Sequence, residues 1–221
     1  MQRLKIPAVY MRGGTSKGVF FRADVLPEDP SARDQLLLRI TGSPDRYGKQ
    51  IDGMGGGTSS TSKVVIVSRS ARADSDVDYW FGAVSIDSAV IDWSGNCGNL
   101  SAAVGPFAIS EGLVDAPASG MAIVRIWQAN LGKHIVAHVP MRNGEPLESG
   151  DFELDGVAFP GAEIKLEFID PAGGDGEDKA DAGSLFPTSA RIETLDVPGV
   201  GAIRATLINA GNPTVFIDAA S

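Results

Sequence analysis

Cysteine is almost absent from this chain: Cys97 is the only one in 221 residues. That excludes a disulfide within the chain and any zinc site built from several thiolates. Histidine is nearly as scarce. His134 and His138 lie four apart on a predicted strand and share a face, and with no third ligand beside them they read as strand-surface residues rather than a metal pair. Positive charge is in deficit, with 19 Lys+Arg against 28 Asp+Glu and a net charge of −9. Such a balance argues against general affinity for nucleic acid or an anionic membrane, although it leaves room for a small anionic ligand held by local charge. Long apolar runs are missing too. Nothing approaches the ~18 residues of a membrane span, and MQRLKIPAVYMRGG has no apolar centre of signal-peptide length. A cytoplasmic protein is the expectation.

What is present is a core's worth of apolar residues, 43% of the chain, cut into short runs by 27 glycines and 13 prolines. That rhythm belongs to a β-rich α/β protein. Strands are predicted at 6–10, 17–22, 63–68, 78–85, 122–128, 133–139, 162–168 and 202–208. One helix is expected after Pro30, with Ser31 as its cap and Gly42-Ser43-Pro44 as its stop. A second begins near Gly98-Asn99. Leu100, Val104, Phe107 and Ala108 form its apolar stripe, Pro106 kinks it, and Glu111-Gly112 ends it. So apolar a helix amid so many strands is expected to be wrapped by them. The acidic, glycine-rich run 173–183 (GGDGEDKADAG) reads as a surface loop and as the approach to a second domain. The expected division is 1–185 and 186–221.

Three stretches carry chemistry. Cys97 lies between Gly95-Asn96 and Gly98-Asn99, residues that permit tight turns and close approach of a ligand to the backbone. Set at the start of a helix, it faces unpaired N–H groups and the positive end of the macrodipole, which favour a thiolate or a nearby carboxylate. A buried structural cysteine is the competing reading, but such residues sit within apolar stretches and this one does not. Lys63 follows GMGGGTSSTS and opens the apolar strand VVIV. Partial desolvation there suits a general base, whereas snorkelling from a strand end explains the residue equally well. The loop lacks the order of a nucleotide P-loop. Arg12–Gly18 (RGGTSKG) offers cations, hydroxyls and pliable backbone for a carboxylate clamp, and it is also a natural hairpin turn. A lysine, a thiol and anion-binding loops together suit proton transfer beside a carboxylate, with N–H groups holding enolate-like charge.

YMRGGTSKGVFF, KQIDGMGGGTSSTSKVVIVS, DVDYWFGAVSID and IDWSGNCGNLSAAVGPFAI resemble the PrpF family, and VRIWQANLGKHIVAHVP, GDFELDGVAFPGAEI and INAGNPTVFI continue the match along nearly the whole chain. The resemblance implies a diaminopimelate-epimerase-like α/β fold, in which each domain curls a barrel-like sheet around a central helix. It implies cis–trans isomerisation of 2-methylaconitate by proton abstraction and return, without cofactor or metal. Lys63 and Cys97 would be the catalytic pair. Thr15, Ser16, Ser60, Ser62, Asn96, Gly98, Asn99 and Asn212 would bind a small unsaturated polycarboxylate, with functional coupling to an aconitase-like methylcitrate dehydratase. Sister enzymes in the family, 4-oxalomesaconate tautomerases and methylitaconate Δ-isomerases, share these motifs, so the motifs alone leave those substrates open. Family chains are about twice as long. The resemblance therefore implies a chain cut short within its second domain and inactive alone, or reduced to binding a polycarboxylate.

Overall fold

The computed structural model describes residues 4–172 and 185–219, so the run 173–183 lies outside it. Contacts group the chain into two compact units, Met1–Glu167 and Phe168–Ser221.

The first unit is built on one large mixed sheet. In chain order its strands are β1 (Val9–Gly13), β2 (Ser16–Arg22), β3 (Lys63–Arg69), β4 (Val77–Val84), β5 (Ile91–Asp92), β6 (Gly120–Gln128), β7 (Lys133–Arg142), β8 (Glu145–Pro146) and β9 (Lys165–Ile169). The main path runs β1-β2-β3-β4-β6-β7-β8, with β5 beside β4 and β9 beside β7. Along the main path pairing is antiparallel except between β2 and β3 and between β4 and β6, and β5 pairs antiparallel with β4. Helix α1 (Pro30–Thr41) fills the crossover between β2 and β3, and α2 (Gly98–Ser110) lies in the connection between β4 and β6.

Helix α2 sets the shape of the sheet. Leu100, Ala103, Val104, Phe107 and Ala108 are buried, and Ser101 is the only polar side chain buried with them on that helix. A helix apolar around most of its circumference must be covered on most sides. The sheet does this by curling: strands from both ends of its order, β1 and β2 as well as β7 and β8, touch α2. Phe20, Val65, Val67, Tyr79, Phe81, Val124 and Ile135 close around it in one cluster. Each such side chain contributes about 1.5–3 kcal/mol through burial. The opposite face of β2 and β3 is buried as well, because Val19, Phe21, Val64 and Ile66 pack with Leu37 of α1. Burial on both faces is why VVIV is a continuous apolar run rather than an alternating one.

Most expected elements recur, with shifted ends. The first strand spans Val9–Gly13 rather than 6–10, since Pro7 has no N–H to give a ladder and the two-residue turn Gly14-Thr15 pairs Gly13 with Ser16. The short strands β5 and β8 carry too few residues for a periodic signal. The cap of α1 is Asp29, whose Oδ2 accepts a 2.7 Å bond from Ala32 N; Ser31 lies inside the first turn, its Oγ 3.5 Å from Gln35 Nε2. Pro30 at the first helical position puts the cap at the residue before it, two earlier than Ser31, because the proline's fixed φ already belongs to the helix. In the second unit, β10 (Glu193–Val197), β11 (Gly201–Ala210) and β12 (Asn212–Ile217) form an antiparallel meander. Its last strand exposes Val215, Phe216 and Ile217. Among the described residues no helix is long and apolar enough to cross a membrane.

The capping geometry is open to a direct comparison. Asp29→Ala is expected to cost about 1 kcal/mol and Ser31→Ala only a few tenths at most, read from denaturant midpoints of the two variants. Equal losses would contradict the cap assignment.

Candidate active site

Alternation along the strands decides which polar residues meet at the mouth of the curl. Lys63 shares a face with Val65 and Val67, and Ser16 shares one with Phe20; these apolar partners all belong to the cluster around α2. Continued to their first residues, β2 and β3 therefore aim Ser16 and Lys63 at the start of that helix. Cys97 stands there as its N-cap, in extended backbone and with no side chain capping the first turn. Lys63 Nζ lies 3.3 Å from Cys97 Sγ, and Ser16 Oγ lies 4.0 Å from the same sulfur. Cys97 is 7% and Ser16 4% exposed, so the pair is shielded on the protein side. The Lys63 ammonium also stands 5.0 Å from the centre of the Phe81 ring, where a cation is attracted to the π-face.

Backbone contacts hold these groups in place. The Cys97 carbonyl accepts from Ser101 N and Ser101 Oγ, both at 3.0 Å, and from Tyr79 Oη at 3.5 Å. Tyr79 is fully buried; burial and the neighbouring Cys97 push its phenol well above its ordinary range, so it remains a donor. The β1–β2 turn then presses onto the first turn of α2. A Cβ on Gly13 would stand 2.5 Å from Asn99 O, and one on Gly14, which has φ +51°, would stand 2.2 Å from Asn99 Oδ1. Asn99 clasps the turn from its side: its Nδ2 donates to Thr15 Oγ1 at 3.1 Å, and its Oδ1 lies 3.4 Å from Thr15 N. RGGTSKG is thus a hairpin turn and also the wall beside the helix N-terminus. Gly18 shows the same economy at β3, since a Cβ there would stand 2.7 Å from Lys63 O.

The remaining sequence-predicted residues are distributed differently. Gly98 and Asn99 form the exposed first turn of α2 beside Cys97, and Thr15 is exposed at the rim. Asn96 Oδ1 lies 3.5 Å from Ser101 Oγ. Ser60 is exposed, and its carbonyl accepts from Lys17 N at 3.0 Å. The Ser62 hydroxyl is turned into the protein. It donates to Val84 O at 2.8 Å and accepts from Gln50 Nε2 at 2.7 Å, a role in holding the loop. Asn212 opens β12 of the second unit. His138 Nε2 lies 2.8 Å from Glu167 Oε1, and the His134 ring is tilted at 59° against Trp127, centroids 4.8 Å apart. Among the described residues no group of three or more His, Cys, Asp and Glu could hold a metal.

Three participants were missed from sequence. Phe81 and Tyr79 were within reach, because Val77, Tyr79 and Phe81 alternate on the face that antiparallel pairing turns toward α2. Gln50 gave no signal. It is 1% exposed and joins Ser43 Oγ, Ser62 Oγ and Gly57 N, all distant contacts that bind the loop before Lys63. Asp45 begins that loop by accepting from Tyr47, Lys49 and Gln50 N–H groups, which hold its carboxyl below the ordinary carboxylate range. A groove of about 1060 Å³ runs past Gly14, Asn99, Ala102 and Pro106, and neither Lys63 nor Cys97 lines it.

A family model for the PrpF protein matches residues 3–221. The chain belongs to the PrpF family. Two curated relatives are the 2-methyl-aconitate isomerases of Cupriavidus necator, 63% identical over 99% of this chain, and of Shewanella oneidensis (strain MR-1), 60% identical over 98%. In both cases the match covers 56% of the relative, so the chain spans about half the length of the curated relatives it matches. The crystal structure of a methylitaconate-delta-isomerase superposes with a TM-score of 0.79 at 42% identity, covering 97% of this chain and 53% of that one. The curled sheet around a central helix is thus shared with a solved isomerase.

Two measurements check the geometry. Gly13→Ala is expected to destabilise the fold by about 1–3 kcal/mol through overpacking against α2; an unchanged urea midpoint would contradict the close approach. The Asp45 carboxyl is lowered in the fold, so its contribution is present above its ordinary value of 3.8 and disappears as pH falls through the lower folded value. Asp45→Asn is therefore expected to be the less stable protein at pH 7, and the gap should close in acid. A gap that widens as pH falls would refute the assignment.

Proposed function

We propose that this chain supplies the lysine–cysteine half of an isomerase that shifts protons on an unsaturated tricarboxylate, with 2-methylaconitate as substrate. The observation that carries the reading is the 3.3 Å contact between Lys63 and Cys97 at the uncapped N-terminus of α2. An amine poised against a thiol can take a carbon-bound proton and return one without any other reagent. Unpaired N–H groups at the helix start are suited to the carboxylate that the developing charge spreads onto. In this reading Lys63 removes a proton from a carbon conjugated with the carboxylates. The resulting dienolate loses double-bond order at the former alkene, rotation follows, and a proton returns. Cys97 shares the proton handling, and Gly98, Asn99, Thr15 and Ser16 hold the carboxylate beside it. The relatives named 2-methyl-aconitate isomerase support this substrate at 60–63% identity.

The second unit is the beginning of a second domain of the same kind, to which Asn212 would contribute. The protein works in the cytoplasm on substrate delivered by an aconitase-like methylcitrate dehydratase, and its chemistry needs no cofactor.

Exchange of substrate protons tests the reading. With the protein at the length of its relatives, trans-2-methylaconitate in deuterated water is expected to take up deuterium, followed by NMR. Lys63→Ala should slow this by at least about 100-fold. Full exchange in Lys63→Ala would remove the lysine from its role, and turnover of oxalomesaconate in place of 2-methylaconitate would overturn the substrate.

A further inference from the structure

The parallel ladder between β4 and β6 ends where Tyr79 pairs with Gln128, with one further bond from Ala129 N to Tyr79 O. The chain then turns at Asn130, and no backbone follows alongside Phe81. The Asn130 side chain takes over instead. Its Oδ1 accepts from Phe81 N at 2.8 Å, and its Nδ2 donates to Phe81 O at 3.0 Å, so one amide pairs with Phe81 as a neighbouring strand would. The same Nδ2 donates to Trp93 O at 2.6 Å, and the same Oδ1 accepts from Gln128 Nε2 at 2.6 Å. Gln128 is fully buried and is itself fixed by accepting from Leu131 N at 2.8 Å. Both donors and both acceptor positions of the Asn130 amide are thereby used. Its orientation is also determined, since a reversed amide would set N–H groups against the N–H groups of Phe81 and Gln128.

One of the two segments joined by this amide leads into Cys97, and the other, β4, pairs with β3, whose first residue is Lys63. Phe81 carries the ring beside the Lys63 ammonium. Trp93 stands four residues before Cys97, and its indole N–H bonds Asp34 of α1 at 3.2 Å. We propose that Asn130 is a positioning residue for Lys63 and Cys97: by binding Phe81 and Trp93 with one side chain, it fixes β4 against the segment that leads into Cys97. The inference rests on the reading of Lys63 and Cys97 as the working pair. A purely structural asparagine would lower stability but leave the coupling between amine and thiol intact in the folded protein.

That coupling is measurable as the rate at which iodoacetamide alkylates Cys97, followed by mass spectrometry of the peptide carrying it. Circular dichroism confirms that each variant is folded. With Asn130 intact, Lys63→Ala is expected to slow alkylation by about tenfold, through loss of the amine that stands 3.3 Å from the sulfur. Beside Asn130→Ala, the same Lys63→Ala change should alter the rate by about twofold or less, the signature of a broken coupling in a double-mutant cycle. Asn130→Asp keeps the size and the acceptor for Phe81 N but loses both donations, and should weaken the coupling in the same way if the alanine variant fails to fold. A full tenfold effect persisting beside either Asn130 variant would overturn the inference while leaving the pair standing. No effect of Lys63→Ala in the unaltered protein would sink the pair, and the inference with it.

Discussion

The turn between β1 and β2 lies so close to the first turn of α2 that neither Gly13 nor Gly14 has room for a side chain. Gly13 and Gly14 meet Asn99 and Leu100 at distances that only α-carbons without a Cβ allow. Much of the site depends on that approach. It brings Ser16, the first residue of β2, toward the Cys97 sulfur, and it puts the Thr15 hydroxyl and backbone N–H within reach of Asn99. Parallel pairing of β2 with β3 then sets Lys63 beside the same point. A wider turn would leave the thiol and the amine on surfaces that no longer converge.

How much of this was legible depends on the range of the interaction. The longer strands and both helices in the first unit were visible because apolar periodicity is local, and the two-residue strands β5 and β8 were not. The wrapping of α2 was visible because a helix without a polar face has nowhere else to go. Cys97 stood out through its Gly-Asn neighbours, and Lys63 through the loop before it. Other features needed contacts between residues far apart in the chain. Ser62 was a ligand by resemblance alone, and Gln50 and the Val84 carbonyl claim its hydroxyl from a distance. Ser31 looked like a cap until the proline before it is counted as the first helical residue. Asn130 stands in an ordinary turn sequence, and only three-dimensional pairing shows that its side chain continues a sheet.

The electrostatics of the site run against those of the protein. The chain carries a net charge of −9, while the mouth of the curl gathers an ammonium and an uncapped helix N-terminus. A small polyanion is drawn to such a local field over short distances, and the acidic surface discourages larger polyanions from the same place. The Phe81 face makes the cation easier to hold at partial burial.

Helix α2 bears no charged residue and has few polar ones, so it has little reason to form before it is enclosed. The strands that enclose it come from residue 9 to residue 146. Loop-closure entropy must therefore be met across most of the first unit before the helix gains its burial energy. The kinetic consequence is that the helix and the sheet assemble in one late, cooperative event. The thiol at the helix start then becomes sheltered only when the whole curl has closed.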